Sequence, residues 1–175
     1  LMLSNIAVFI ILYGAFLNYF PLLLEKKLDA TPLYIGLAMS GMSASTAIVS
    51  STLGRIRKRF SGKYLLFVSF TLYAAVLLML PLVRSWPLII VAVILFGIAH
   101  GINIPNVQTM LVGFAPIKER AAFMSVNSMV LRTGQTSGPL LIGLFFSLGG
   151  FQMAFWAASA LALLMIAVTA LMVNK

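Results

Sequence analysis

The stretch WPLIIVAVILFGIAHGINIPNVQTMLVGF runs from Trp86 to Phe114 without a single Asp, Glu, Lys or Arg. About 20 apolar residues in a helix are enough to cross the ~30 Å hydrocarbon core of a bilayer. Basic residues stand on both sides of the stretch, at Arg84 and Lys118. The stretch therefore predicts a transmembrane helix, and its pattern recurs along the chain.

The composition of the whole chain also indicates a membrane protein. Its 175 residues are 62% hydrophobic and 9% charged, with 3 acidic residues, whereas soluble domains carry roughly 25% charged residues. These values argue against a soluble enzyme, a disordered tail or a nucleic-acid partner, despite the net charge of +9. The chain has no cysteine and one histidine, so we predict neither a metal site nor a cofactor.

Long apolar runs separated by charged joints fill the rest of the sequence. A transmembrane barrel would show alternating strands of ~10 residues, and the runs here are unbroken. We predict an all-α membrane protein with six transmembrane helices, which we number as segments one to six. The segments are Leu1–Leu24, Pro32–Leu53, Tyr64–Val83, Trp86–Phe114, Ala121–Ser147 and Phe151–Val173.

The basic residues of the loops predict the orientation in the membrane. Most of the 12 Lys and Arg residues fall in the loop GRIRKRFSGK (Gly54–Lys63), at Lys118 and Arg120, and at Lys175. Cytoplasmic loops carry the excess of basic residues, so both termini are predicted to be cytoplasmic. The loop charges serve this orientation alone or also form a gate.

Two segments carry stripes of small residues, which let another helix approach closely. In segment two the stripe has steps of three and four residues. Segment five has two opposed faces, one suited to packing and one polar. The stripe of segment two is Gly36, Ser40, Ser43, Ala47, Ser50 and Gly54; the packing face of segment five is Asn127, Leu131, Gly134 and Gly138; the polar face is Ser125, Ser128, Arg132, Gln135 and Pro139.

Segments one and four carry scattered amides and aromatic residues, which predict a cavity lining. Segment one has Tyr13 and Asn18, and segment four has His100 and Asn103. Segments three and six are nearly plain and are predicted to face lipid. This order of helix character is similar in residues 1–83 and 84–175, which predicts two three-helix units related as a 3+3 inverted repeat.

Arg132 is predicted to lie deep in the membrane, because it follows Arg120 by about 18 Å of helix rise. Insertion scales assign an arginine there a cost of about 2.5 to 3.5 kcal/mol. No acidic residue falls inside any predicted segment. Arg132 therefore either bonds to carbonyl groups of a neighbouring helix or lies in a cavity, where it attracts an anionic substrate group or a carboxylate from a partner.

His100 is the one residue of the predicted segments whose charge could change near neutral pH. Three roles are consistent with the sequence. His100 serves as a hydrogen-bonded structural residue, lines a cavity together with Asn103, or relays protons.

The loop between segments two and three resembles a motif of the major facilitator superfamily, GxLxDRxGRK. Gly54, Ile56, Arg59 and Lys63 match this motif, whereas Lys58 replaces its acid. Such departures are typical of the C-terminal half of a twelve-helix transporter. In segment five, Gly134–Pro139 is similar to the GxxxGP pattern of drug and metabolite exporters in this superfamily.

The resemblance implies one half of a secondary transporter that works by alternating access and exports a small-molecule substrate. It also implies a partner, which is an N-terminal six-helix half or a second copy. Under this resemblance the expected substrate contacts are Tyr13, Asn18, His100, Asn103, Arg132 and Gln135; the expected interface or gating residues are Gly36, Ser40, Ser43, Gly134, Gly138 and Pro139; the cytoplasmic loop residues are Gly54, Arg59 and Lys63.

Three other functions stay open from the sequence. An intramembrane protease would need a nucleophile such as Ser43 beside an activating base, yet Gly41-Met-Ser43-Ala44 departs from the protease GxSG pattern. A channel is the second, suggested by Asn103-Ile-Pro105-Asn106 alone. A half-sized transporter that works as a homodimer is the third. We predict that the protein is not an enzyme.

Overall fold

The computed structural model describes residues 1–173, and Lys175, which contributes to the predicted charge bias, lies outside the described residues. The described chain forms long helices with no strand among them. Short loops connect the helices. The helices are α1 (Met2–Leu28), α2 (Pro32–Ile56), α3 (Gly62–Met79, extended by a 3₁₀ turn at Leu80–Leu82), α4 (Trp86–Phe114) and α5 (Arg120–Val173).

The sequence sets several helix ends through local chemistry. Thr31 is extended and Pro32 occupies the first turn of α2, where its fixed φ suits a helix start. The hydroxyl of Ser61 accepts a hydrogen bond from the Tyr64 N–H at the start of α3. Asp29 ends α1 in the left-handed conformation at φ 47°, a conformation that Asp and Asn tolerate better than most residues.

α1 contains a change of hydrogen-bonding register. Residues Met2–Phe9 and Leu17–Leu28 are α-helical, whereas the seven residues of Ile10–Phe16 form a π-helix. A π-helix closes its hydrogen bonds over five residues rather than four. The register change lies inside the predicted first segment, and the sequence pattern did not indicate it.

α5 bends at Gly149 and Gly150, whose backbone angles are not helical. We call residues 120–148 the first arm of α5 and residues 151–173 its second arm. A 55-residue helix, the extent of the apolar span Ile117–Leu171, would be about 80 Å long if straight, well beyond the ~30 Å of a bilayer core. In the described chain five helices are long and apolar enough to cross a membrane, whereas the sequence predicts six segments. The predicted fifth and sixth segments correspond in position to the two arms of α5.

The arms of α5 pack on different helices. In the first arm, Gly134 and Gly138 lie against the backbone of α1. In the second arm, the buried Ser159 donates a hydrogen bond to the Ala74 carbonyl of α3 at 3.0 Å. α2 packs on α4 instead. The bundle core lies between α1, α3, α4 and the second arm, where Phe16, Phe20, Phe70, Tyr73, Phe96 and Phe155 are fully buried.

Replacement of Gly150 by alanine is expected to destabilise the bend in α5. Gly150 has φ 62° and ψ −149°, a combination that is essentially restricted to glycine and costs other residues about 1–3 kcal/mol. We therefore expect a lower thermal unfolding temperature in detergent for Gly150→Ala. Gly54→Ala is the matched control, because a Cβ on Gly54 meets nothing within 4 Å in the described chain; equal melting temperatures for both variants would contradict the expectation.

Candidate polar site on the first arm of α5

A small polar pocket lies between α1 and the first arm of α5. Its volume is about 250 Å³. Three residues predicted from the sequence to line a cavity, Tyr13, Arg132 and Gln135, meet in this pocket. Phe9, Ser128 and Leu131 complete the lining, and Phe9 stacks on Tyr13 with ring centroids 5.6 Å apart.

Arg132 lies on the exposed face of the first arm. Its Nη1 donates a hydrogen bond of 2.9 Å to Oε1 of Gln135, one helical turn further along. The three acids of the chain are distant in the fold: Glu25 is in the last turn of α1, Asp29 follows it, and Glu119 precedes α5. Within the described residues the guanidinium is therefore paired with an amide and not with a carboxylate.

A second, more open cleft of about 450 Å³ borders Arg132 on its other side. Thr133, Thr136, Ser137 and Leu140 line it together with Arg132. The hydroxyls of Thr133, Thr136 and Ser137 each donate to the carbonyl four residues earlier, at 2.8 to 3.1 Å. A serine or threonine in a membrane helix satisfies its donor in this way. Among the residues that line this cleft, Arg132 is the charged one.

The chemistry of the pocket suits an oxyanion. A guanidinium offers planar N–H donors that match a carboxylate or phosphate. The hydrogen bond from Arg132 orients the Gln135 amide so that Oε1 faces the guanidinium, which directs the amide N–H₂ group away from it. An anion in the pocket would thus meet donors from Arg132, Gln135 and the Tyr13 hydroxyl.

His100 and Asn103, which the sequence analysis also expects to contact substrate, are not among the residues that line this pocket. Asn103 is fully buried and donates to the Ser69 hydroxyl of α3 at 2.7 Å. Nδ1 of His100 lies 2.8 Å from the hydroxyl of the buried Tyr73. Both side chains therefore join α4 to α3.

Asn18 is exposed, but its amide is directed to its own helix. Nδ2 of Asn18 donates to the Tyr13 carbonyl at 2.6 Å. The residue lies on α1 next to the pocket without being among the residues that line it.

The glycines of the first arm, which the sequence analysis expects at an interface or gate, pack against α1 of this chain. A Cβ on Gly134 would lie 2.8 Å from the Ile6 carbonyl oxygen, and a Cβ on Gly138 would lie 3.1 Å from the Gly14 nitrogen and from the Ile10 Cα. Pro139 follows them, half-buried. The stripe correctly indicated a packing face, but its partner is α1.

Two residues of this helix contact were missed by the sequence reasoning. Gly14 opposes Gly138, and the buried Asn5 donates to Asn127 at 2.5 Å. A signal was present, because Asn5 is an amide within an otherwise apolar run and Gly14 interrupts the same run.

The N-terminal part of the small-residue stripe of α2 lies on the outside of the described bundle. Gly36, Ser40 and Ser43 are exposed, and a Cβ on Gly36 meets no atom of the described chain within 4 Å. Ser43 donates to the Met39 carbonyl of its own helix at 3.1 Å. This face is open for a close partner.

The residues of the loop Gly54–Lys63 lie at one end of α2 and α3. Gly54 and Arg59 are exposed. Lys63 lines an open cleft of about 410 Å³ that also includes Arg57, Ser61 and Thr109. The loop is therefore close to the C-terminal end of α4.

The long apolar helices define an integral, multi-pass membrane protein, and Arg132 lines a polar pocket on one of them. The family model of the Major Facilitator Superfamily matches residues 2–175. The chain belongs to this superfamily.

Two curated proteins are similar to part of the chain. "Probable anion transporter 5" of Arabidopsis thaliana is 28% identical over 105 residues, which cover 59% of this chain and 24% of that protein. "Probable anion transporter 6" of Oryza sativa subsp. japonica is 28% identical over 90 residues, 51% of this chain and 21% of that protein. The matched parts thus span less than a quarter of each relative, and both relatives are more than twice as long as this chain.

Proposed function

We propose that the chain is one six-helix half of a secondary transporter that moves a small anion across the membrane by alternating access. The observation that carries this proposal is Arg132, an exposed guanidinium on a transmembrane arm that has an amide and no carboxylate beside it in the described chain. Such a charge is expensive in a bilayer unless it faces a cavity or a partner.

The substrate contacts in this proposal are Arg132, Gln135 and Tyr13. Their pocket offers N–H and O–H donors to an oxyanion. The names of the two similar proteins, both described as probable anion transporters, support an anionic substrate. Asn18 lies next to this pocket and donates to the Tyr13 carbonyl.

The proposal includes six membrane crossings arranged as a 3+3 repeat, with units 1–83 and 84–175. The bend at Gly149 and Gly150 supports a turn between two crossings. The packing also has a twofold pattern, because α1 lies on the first arm of α5 as α2 lies on α4. Glycines mediate both contacts, at Gly138 and at Gly97.

A second six-helix bundle, N-terminal to this one in the same protein, is the proposed partner. The open stripe at Gly36, Ser40 and Ser43 supports a close contact with another helix. In the most apolar stretch of α2 only 6% of the residues are buried within the described chain. The greater length of the two similar proteins also supports a larger transporter.

The orientation we propose places both termini and the loop Gly54–Lys63 in the cytoplasm, with Arg59 and Lys63 at the cytoplasmic gate. The charge bias of the loops supports it. The proposed direction is export, and it rests on the similarity of Gly134–Pro139 to the exporter pattern. Gly134, Gly138 and Pro139 then transmit movement between α1 and the first arm.

Reconstitution in proteoliposomes tests the proposal. We expect saturable uptake of a radiolabelled anion, from a set of phosphate, a monocarboxylate and a dicarboxylate, when this chain is combined with its N-terminal half. Internal unlabelled anion should accelerate the uptake, because alternating access exchanges substrate. Non-saturable flux without exchange would indicate a channel, and full activity of the purified 175-residue chain as a dimer would indicate a homodimeric transporter.

A further inference from the structure

The π segment of α1 places a polar residue at the candidate pocket. Ile10–Phe16 is a π-helix inside an otherwise α-helical span. π segments are rare and frequently occur at functional sites. Tyr13 stands in the middle of the segment and lines the pocket with Arg132 and Gln135.

The side chain of Asn18 supports the last turn of this segment. Its Nδ2 donates to the Tyr13 carbonyl, five residues earlier, at 2.6 Å. The neighbouring Leu17 N–H bonds to the Leu12 carbonyl, again five residues earlier. The side-chain bond therefore has the spacing of the π register and adds a donor at the point where the helix returns to the α register.

Packing on the other sides of α1 depends on the same register. A Cβ on Gly14 would lie 2.6 Å from the Gly138 carbonyl oxygen, so α1 and the first arm are in backbone contact here. Phe16 stacks on Phe96 of α4 with centroids 3.9 Å apart. In a helix of 3.6 residues per turn, one residue corresponds to a rotation of about 100°. Loss of the π turn would therefore rotate Tyr13 relative to the packed Phe16.

We propose that Asn18 is a positioning residue, which holds the π turn through the Tyr13 carbonyl and thereby presents the Tyr13 side chain to the pocket of Arg132 and Gln135. Asn18 acts through Tyr13 and does not itself contact the substrate. The effect on substrate affinity rests on the proposed anion transport, whereas the effect on the helix register does not.

A double-mutant cycle in the full-length protein tests the link to the pocket. In proteoliposomes, Asn18→Leu is expected to raise the KM for the transported anion about fivefold and to change Vmax less than twofold, as for the loss of one hydrogen bond at the site. Asn18→Gln keeps the amide donor and is expected to retain a KM near that of the wild type. In the Tyr13→Phe background, Asn18→Leu should have no further effect on KM. Independent, multiplicative effects on KM would overturn the proposal.

Hydrogen exchange provides a readout that does not require transport. In the full-length protein without substrate, the amides of Ile10–Asn18 should exchange about tenfold faster in Asn18→Leu, whereas the Gln variant should resemble the wild type. Unchanged exchange in the Leu variant would overturn the proposed positioning. Faster exchange without any anion flux would leave the positioning supported and the proposed function wrong. Anion flux with multiplicative effects on KM would leave the proposed function supported and the positioning wrong.

Discussion

Replacement of Arg132 by alanine is expected to lower Vmax/KM for the transported anion about 100-fold, because a charge-assisted contact to an oxyanion is lost. Hydrogen bonds to charged groups contribute about 1.5–3 kcal/mol, and each 1.4 kcal/mol corresponds to a factor of about ten. The thermal stability of the protein is expected to stay equal or to rise. Removal of an intramembrane guanidinium that has one amide partner also removes an insertion cost of about 2.5–3.5 kcal/mol.

Two companion variants make this result specific. Arg132→Lys keeps the charge but loses the planar pair of donors, so an intermediate loss of Vmax/KM is expected. Arg84→Ala removes an exposed arginine from a loop outside the pocket and should leave flux unchanged. Wild-type flux in Arg132→Ala would refute the proposed site, whereas loss of stability together with flux would indicate a structural role for Arg132.

Replacement of Gly97 by alanine is expected to separate α2 from α4 and to cause the largest loss of stability. A Cβ on Gly97 would lie 2.5 Å from the Met42 carbonyl oxygen, and that atom is backbone. Overpacking of this kind costs about 1–3 kcal/mol and occasionally more, and a backbone neighbour leaves little room for local relief. We expect a marked fall in the unfolding temperature and in the yield of monodisperse protein.

Two hydrogen bonds would weaken with this helix contact. Thr46 donates to the Gly97 carbonyl at 3.1 Å, and Ser50 donates to the Gly101 carbonyl at 3.2 Å. The second bond matters because Pro105 has no N–H for the Gly101 carbonyl, which would otherwise be its helical acceptor. The effect of an added methyl group therefore extends beyond the steric overlap itself.

Gly113→Ala is the matched control in the same helix. A Cβ on Gly113 meets nothing within 4 Å in the described chain, and alanine favours a helix over glycine by about 0.8–1 kcal/mol. This variant should be as stable as the wild type or more stable. If Gly97→Ala and Gly113→Ala melted alike, the close packing of α2 on α4 would not be a source of stability.

The candidate site was predicted only in part. Arg132 and Gln135 lie together, as the polar face of segment five predicted, because helical periodicity alone places residues three apart on one face. The aromatic Tyr13 of segment one joined them through tertiary packing. Asn103 donates a buried hydrogen bond to Ser69 outside this pocket, and an amide in a membrane helix fits a cavity and such a bond equally well. Sequence character does not distinguish these two environments.

The glycines show the same division. Their spacing at Gly134 and Gly138 indicated close helix packing, and the structure has that packing. Spacing carries no information about the identity of the neighbour, so the stripe was assigned to a second bundle instead of α1. In the stripe of α2, the small residues Gly36, Ser40 and Ser43 remain exposed.

The sequence by itself determined the class of this protein and the extent of its helices. Apolar length and rare charges dictate a helical membrane chain, because the bilayer admits backbone only when its hydrogen bonds are satisfied within each segment. Tertiary structure alone decided which faces meet and the π register around Tyr13. These features depend on contacts between residues far apart in the chain, and local hydropathy does not encode such contacts.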